Sequence, residues 1–114
     1  MPLLKIFSRT RIAGIDVRAL HAKLLPVFKV PASVLQVVYV PAAEMAPPID
    51  LFVDIRAKAK AERTPEAMQD AMQAVSRILL AQTGVTDIKV RVELYEPSLQ
   101  HSYTQSTADE TAKL

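Results

Sequence analysis

Residues 51–95 read LFVDIRAKAKAERTPEAMQDAMQAVSRILLAQTGVTDIKVRVELY and contain one complete strand–helix–strand unit. Ile49 to Arg56 alternates: Leu51, Val53 and Ile55 point one way, Phe52, Asp54 and Arg56 the other. That is the period of a strand with one buried face. Ala57 to Arg63 is a charged connection containing Lys58, Lys60 and Arg63. Thr64 then offers an N-cap, Pro65 takes the first helical position, and Glu66 puts negative charge in the first turn. Met68, Met72, Val75 and Leu79 recur at helical spacing, widened by Ala71 and Ile78, and predict a stripe packed into the core. Gly84 stops the helix. Ile88, Val90, Val92 and Leu94 alternate with Lys89, Arg91, Glu93 and Tyr95, giving a second strand that Pro97 ends.

Toward the N-terminus the same plan recurs without a repeat of sequence. Leu3 to Phe7 is a short strand, followed by a polar connection from Ser8 to Gly14. Asp16 can cap a helix carrying Val17, Leu20, Leu24 and Phe28 at three- and four-residue spacing. Pro26 falls late in that helix and is expected to kink or end it. Val30 to Ser33 is a turn. Val34 to Val40 is rich in β-branched residues, with Gln36 its only strongly polar side chain, which predicts a strand buried on both faces. Pro41 and Pro47-Pro48 separate the halves.

The expectation is an α+β fold in one domain, 1–99, made of two βαβ units (about 2–41 and 49–97). Right-handed crossovers place both helices on one face of a four-stranded sheet. The other face is left bare, and the apolar second strand then predicts an oligomer. The tail, 100–114, is polar and aperiodic, and a neighbouring subunit is expected to hold it.

Composition narrows the chemistry. Half of the 114 residues are hydrophobic and only 5% are aromatic, so the core is mostly Val, Ile, Leu and Ala. There is no cysteine, which removes thiol nucleophiles and thiolate metal sites together. His21 and His101 lie far apart, so no metal site is expected, and His21 reads as a helix-surface residue. The formal net charge is only +2, with basic residues scattered among acidic ones. Nucleic-acid binding lacks its footprint, and a few arginines meeting a small anionic substrate is the more economical use of the charge. The apolar runs are too short to span a bilayer, and the N-terminus lacks a signal-peptide pattern, so no membrane partner and a cytoplasmic location are expected.

The candidate catalytic residue is Pro2. With Met1 removed, its nitrogen is a secondary amine. An α-amino group titrates near ~8. Burial or a nearby cation lowers that value and makes a general base near neutral pH.

Pro2 leading a strand, followed by two βαβ units, resembles the plan of the tautomerase superfamily. The sequence is most similar to its 5-carboxymethyl-2-hydroxymuconate isomerase family. The similarity rests on Leu51-Phe52-Val53 with Lys58 and the Arg63-Thr64 pair, and on Glu93-Leu94-Tyr95-Glu96-Pro97-Ser98-Leu99. Met1-Pro2 and the helix around Leu20-His21-Ala22-Lys23 also fit, so the resemblance covers roughly residues 1 to 103. It implies a cofactor-free keto-enol tautomerase or isomerase assembled as a homotrimer. Pro2 would be the base and a small carboxylate-bearing enol the substrate, with 5-carboxymethyl-2-hydroxymuconate the specific candidate. Arg63 would bind the substrate carboxylate. Where the family has an arginine on strand 2, this chain has Val34 and Gln36, and Gln36 is the candidate substrate-binding residue there. Lys29 matches an active-site lysine of the macrophage migration inhibitory factor-like branch, and Lys58 is a further candidate ligand. Arg9 and Arg11, in the loop after strand 1, could also reach an anion. Two alternatives stay open: a non-catalytic oligomeric binding or structural member, and a hydratase or decarboxylase of the same superfamily.

Overall fold

A computed structural model of the chain describes residues 2–9 and 14–106. The elements run β1 (Leu3–Ser8), α1 (Val17–Phe28), β2 (Gln36–Pro41), β3 (Leu51–Lys58), α2 (Pro65–Thr83) and β4 (Ile88–Tyr95). They form one four-stranded sheet in the order β2-β1-β3-β4. β1 pairs parallel with β2, and β3 with β4, while the two halves join through the antiparallel pair β1–β3. Both helices cover one face. The result is the expected α+β arrangement of two βαβ units.

Local chemistry sets the helix ends. Asp16 is extended, and its Oδ1 accepts from Ala19 N at 3.1 Å. Thr64 does the same for α2, accepting from Ala67 N at 3.1 Å, with Pro65 next in line. Each cap satisfies a donor that the first turn leaves without an intrahelical partner. Gly84 closes α2 in the left-handed conformation, φ 74°, where a Cβ is unwelcome. Pro26 falls in the last turn of α1, which ends two residues later at Phe28.

The core lies between the helices and the two central strands. Leu4, Ile6, Leu51, Val53 and Ile55 are fully buried beneath Leu20, Leu24, Val75 and Leu79. The buried line of α2 runs through Ala71, Val75 and Leu79, whereas Met68 and Met72 are only half-buried. The expected stripe is therefore centred on the small residue rather than on the methionines. Residues 71, 75 and 79 share one line at four-residue spacing, and the longer methionines flank it.

Strand 2 departs further from expectation. It begins at Gln36, not Val34, and none of its residues is buried. It lies at the sheet edge, so only β1 pairs with it, and only Val37 and Tyr39 pack against the core. The delay has a local cause. Ala32–Val34 form a single 3-10 turn, and the His21 Nε2–H reaches the carbonyls of Ala32 and Leu35 at 3.0 and 2.9 Å. His21 is thus a pin between α1 and the approach to β2 rather than a surface residue.

The face away from the helices is not simply apolar. Phe7 and Phe52 meet edge to face, with ring centroids 6.3 Å apart. Lys89 and Arg91 lie over the Phe52 ring at 5.7 and 5.5 Å, and Arg91 pairs with Asp54 at 3.2 Å. These cations partly screen the aromatic surface.

Candidate functional site

The register places Pro2. Leu3 pairs with Arg56 on one side and with Gln36 on the other, so the head of β1 lies beside the end of β3 and the start of β2. Gln36 N donates to Pro2 O at 3.0 Å. Even-numbered residues of β1 face the helices, and the Pro2 ring is fully buried with Leu4, Ile6 and Ser8. Met1 lies outside the described residues.

Arg63 sits at this same end, in the turn between β3 and α2. It is only 8% exposed, the one buried charged side chain among the described residues. Its Nη1 donates to Lys58 O at 2.6 Å, tying the guanidinium to the last residue of β3. Burial lowers its pKa from the ordinary arginine value, opposed first by the nearby Tyr95 phenol and then by Glu62. An arginine so placed keeps its charge at neutral pH. Lys58 O takes one of its five N–H donors and leaves the others for something else.

Lys29 caps α1 with φ 54° and ψ 48°, and its N–H donates to Leu25 O at 2.8 Å. This is the left-handed region, where a side chain costs roughly 1–2 kcal/mol and glycine is usual. A backbone outlier that keeps a lysine is a reason to look for work done by the ammonium.

Lys29 and Arg63 line one cleft of ≈ 630 Å3 between the end of α1 and the first half of α2. Val27, Phe28, Ala67, Met68, Ala71 and Ala74 form its apolar walls. Lys60, Glu62, Asp70 and Arg77 complete the lining. Sequence reasoning passed over this second group. The available signal was Ala67, Ala71 and Ala74 at helical spacing, a face too small to fill the space beside it.

The remaining candidates diverge. Gln36 and Lys58 lie at the same end but are exposed and project from the sheet face opposite the helices. Pro2 is buried on the helix side of β1 and does not line the cleft. Arg9 is at the far end of β1 from Pro2 and pairs with Asp50 at 3.1 Å. Arg11 lies outside the described residues. A second cavity, ≈ 610 Å3, opens at that far end between Phe7, Phe52 and the loop around Met45 and Pro47. Among the described residues no group of three or more His, Cys, Asp or Glu is arranged to hold a metal. No helix there is long and apolar enough to cross a membrane.

Solved structures share this architecture. Malonate semialdehyde decarboxylase is 15% identical with a TM-score of 0.63, and the match covers 98% of each chain. The macrophage migration inhibitory factor of Trichinella spiralis is 9% identical with a TM-score of 0.72, covering 88% of this chain and 95% of that one. Native fused 4-OT is 16% identical with a TM-score of 0.68, covering 94% and 97%. This is the tautomerase-superfamily fold. No protein-family model and no curated protein sequence matches the chain. Within the tautomerase fold, the head of β1 and the β3–α2 turn come together here at one end of the sheet, with Pro2 on the first and Arg63 on the second.

Proposed function

We propose that the chain is a cofactor-independent keto-enol tautomerase acting on a small carboxylate-bearing enol. Pro2, freed by removal of Met1, is the general base. Arg63 binds the carboxylate and stabilises the enolate that forms as the proton moves between oxygen and carbon. Lys29 adds positive charge at the same end, and Gln36 and Lys58 stand on its other side.

The observation that carries this reading is the buried guanidinium of Arg63 at the end of the sheet where Pro2 heads β1. Lys58 O takes one donor, and no buried side-chain nitrogen or oxygen among the described residues lacks a hydrogen-bond partner, so the remaining donors of Arg63 are open to a ligand. A substrate carboxylate can take them in a charge-assisted bidentate contact, the strong form of that interaction. Burial of the Pro2 ring disfavours the charged form of the freed amine, and a cation within reach of it acts in the same direction.

The assembly we propose is a homotrimer. β2 is an edge strand with no buried residue, and its free edge and the Phe7–Phe52 face are surfaces that a second copy covers. Light scattering that gave a stable monomer at micromolar concentration would remove the trimer.

The test of the activity is the conversion of phenylenolpyruvate to its keto form by the processed protein, followed optically. Pro2→Ala should retain part of the rate, since processing then leaves a primary amine. Absence of any conversion above the buffer rate by processed wild-type protein would refute the activity.

A further inference from the structure

The cleft has polarity along its length. At the end near Pro2, Lys29, Lys60 and Arg63 gather against a single acid, Glu62. Among the described residues, none of these three cations forms an ion pair with a side chain. Along the middle, Ala67, Ala71 and Ala74 form the floor and Val27, Phe28 and Met68 the walls. At the helical rise, the floor from Ala67 to Ala74 runs about 10 Å. Asp70 and Arg77, of opposite sign, stand at the rim.

The alanines explain why the space exists. The two helices are tied at the other end, where the Gln82 side chain accepts from Asp16 N at 3.1 Å and donates to Asp16 O at 3.3 Å. Gly14 packs there so closely that a Cβ would stand 3.0 Å from Gln82 O. Away from that pin, small residues on α2 do not fill the gap. The volume falls in the range of small-molecule sites.

From this arrangement we infer that the cleft binds an amphiphilic monocarboxylate: its carboxylate on Arg63, with Lys29 and Lys60 alongside, and its apolar body along the Ala67–Ala71–Ala74 trough. The inference rests on the reading of Arg63 as the carboxylate ligand, and it adds a specificity determinant that separates this chain from enzymes of short dicarboxylates. A carboxylate placed over the trough floor would lie on alanine, valine and phenylalanine, away from the cations at the head and from Arg77 at the rim, and lose its water without gaining a partner there. An alkyl or aryl body loses nothing there and gains burial.

The experiment uses Met1-retaining protein, which binds without turning over, and octanoate and glutarate as probes. Calorimetric titration should give octanoate a Kd at least tenfold below that of glutarate. Ala74→Leu, which fills the trough, should weaken octanoate about tenfold and leave glutarate unchanged. Because Ala74→Leu could disturb α2, Lys60→Glu serves as a second variant: it should weaken both probes while circular dichroism stays that of the parent. Equal affinity for the two probes, or octanoate binding unaffected by both variants, would overturn the inference. The outcomes separate the two readings. Selective binding of octanoate, with no enol conversion by Met1-free protein, refutes the tautomerase and keeps the trough. Conversion without selectivity does the reverse.

Discussion

The two ends of the helix pair are built differently. At the Asp16–Gln82 end the chains touch: a side-chain amide bridges both backbone groups of Asp16, and Gly14 leaves no room for a methyl group against Gln82. At the Phe28–Ala67 end they stand apart over a cleft, with an arginine buried at its head and a lysine held in a left-handed cap. The first end satisfies every local rule of packing. The second breaks two of them, a buried cation and a positive φ on a lysine. Departures from local consistency concentrate where a protein does something besides fold. On the proposed function, stability belongs to one end and chemistry to the other.

Substitutions at the two ends should separate cleanly. The largest effect is expected from Arg63→Met, which keeps apolar bulk and removes the charge. A hydrogen bond to a charged group is worth about 1.5–3 kcal/mol, so kcat/KM should fall roughly tenfold or more. The midpoint of urea unfolding should move little. If activity held, Arg63 would be a structural tie to Lys58 and Lys29 would become the leading cation. Next in size is Gly14→Ala at the closed end. Overpacking against backbone costs about 1–3 kcal/mol, and the loss should appear in unfolding while kcat/KM is unchanged. Gln82→Ala should lower stability by about 1 kcal/mol through its two lost hydrogen bonds, again without a kinetic effect. A change of activity in either closed-end variant would break the division.

The smallest and sharpest test is Lys29→Gly. Glycine enters the left-handed region freely but is more flexible when unfolded, so stability should stay within about 1 kcal/mol of the parent. KM for a carboxylate substrate should rise several-fold. A variant that lost stability and kept its KM would show that Lys29 acts through packing.

Much of the fold was legible because its signals are local. Thr64-Pro65 and Gly84 bracket α2 within the chain itself, and Asp16 marks the start of α1 just as directly. The period of two in 51–56 and 88–95 predicts the strands from side chains alone. Strand 2 was read too long because its β-branched run hides a turn that depends on His21, eleven residues upstream of Ala32. Its burial was misjudged because position in a sheet is a property of pairing order, which hydrophobicity does not encode. The methionine stripe went wrong for a related reason: a wide apolar face does not say which of its residues is central. At the site, Pro2 and Arg63 could be singled out from sequence through their resemblance to known proteins. The cleft could not, because it is a distance between two helices and is made by what the alanines lack.

The most direct test of the central claim compares protein retaining Met1 with protein lacking it, at equal concentration and on the same enol substrate. A secondary amine can take the proton and an amide nitrogen cannot. General-base catalysis contributes ~10²–10⁴-fold, so Met1-free protein should be faster by at least ~100-fold in kcat/KM. A free amine buried as the Pro2 ring is has its charged form disfavoured relative to an ordinary α-amino group, which titrates near ~8, and the rate should rise with pH through its pKa. Arg63 stays charged through that range and adds no inflection of its own. Equal rates for the two forms would contradict the account, because Pro2 could not then be the base.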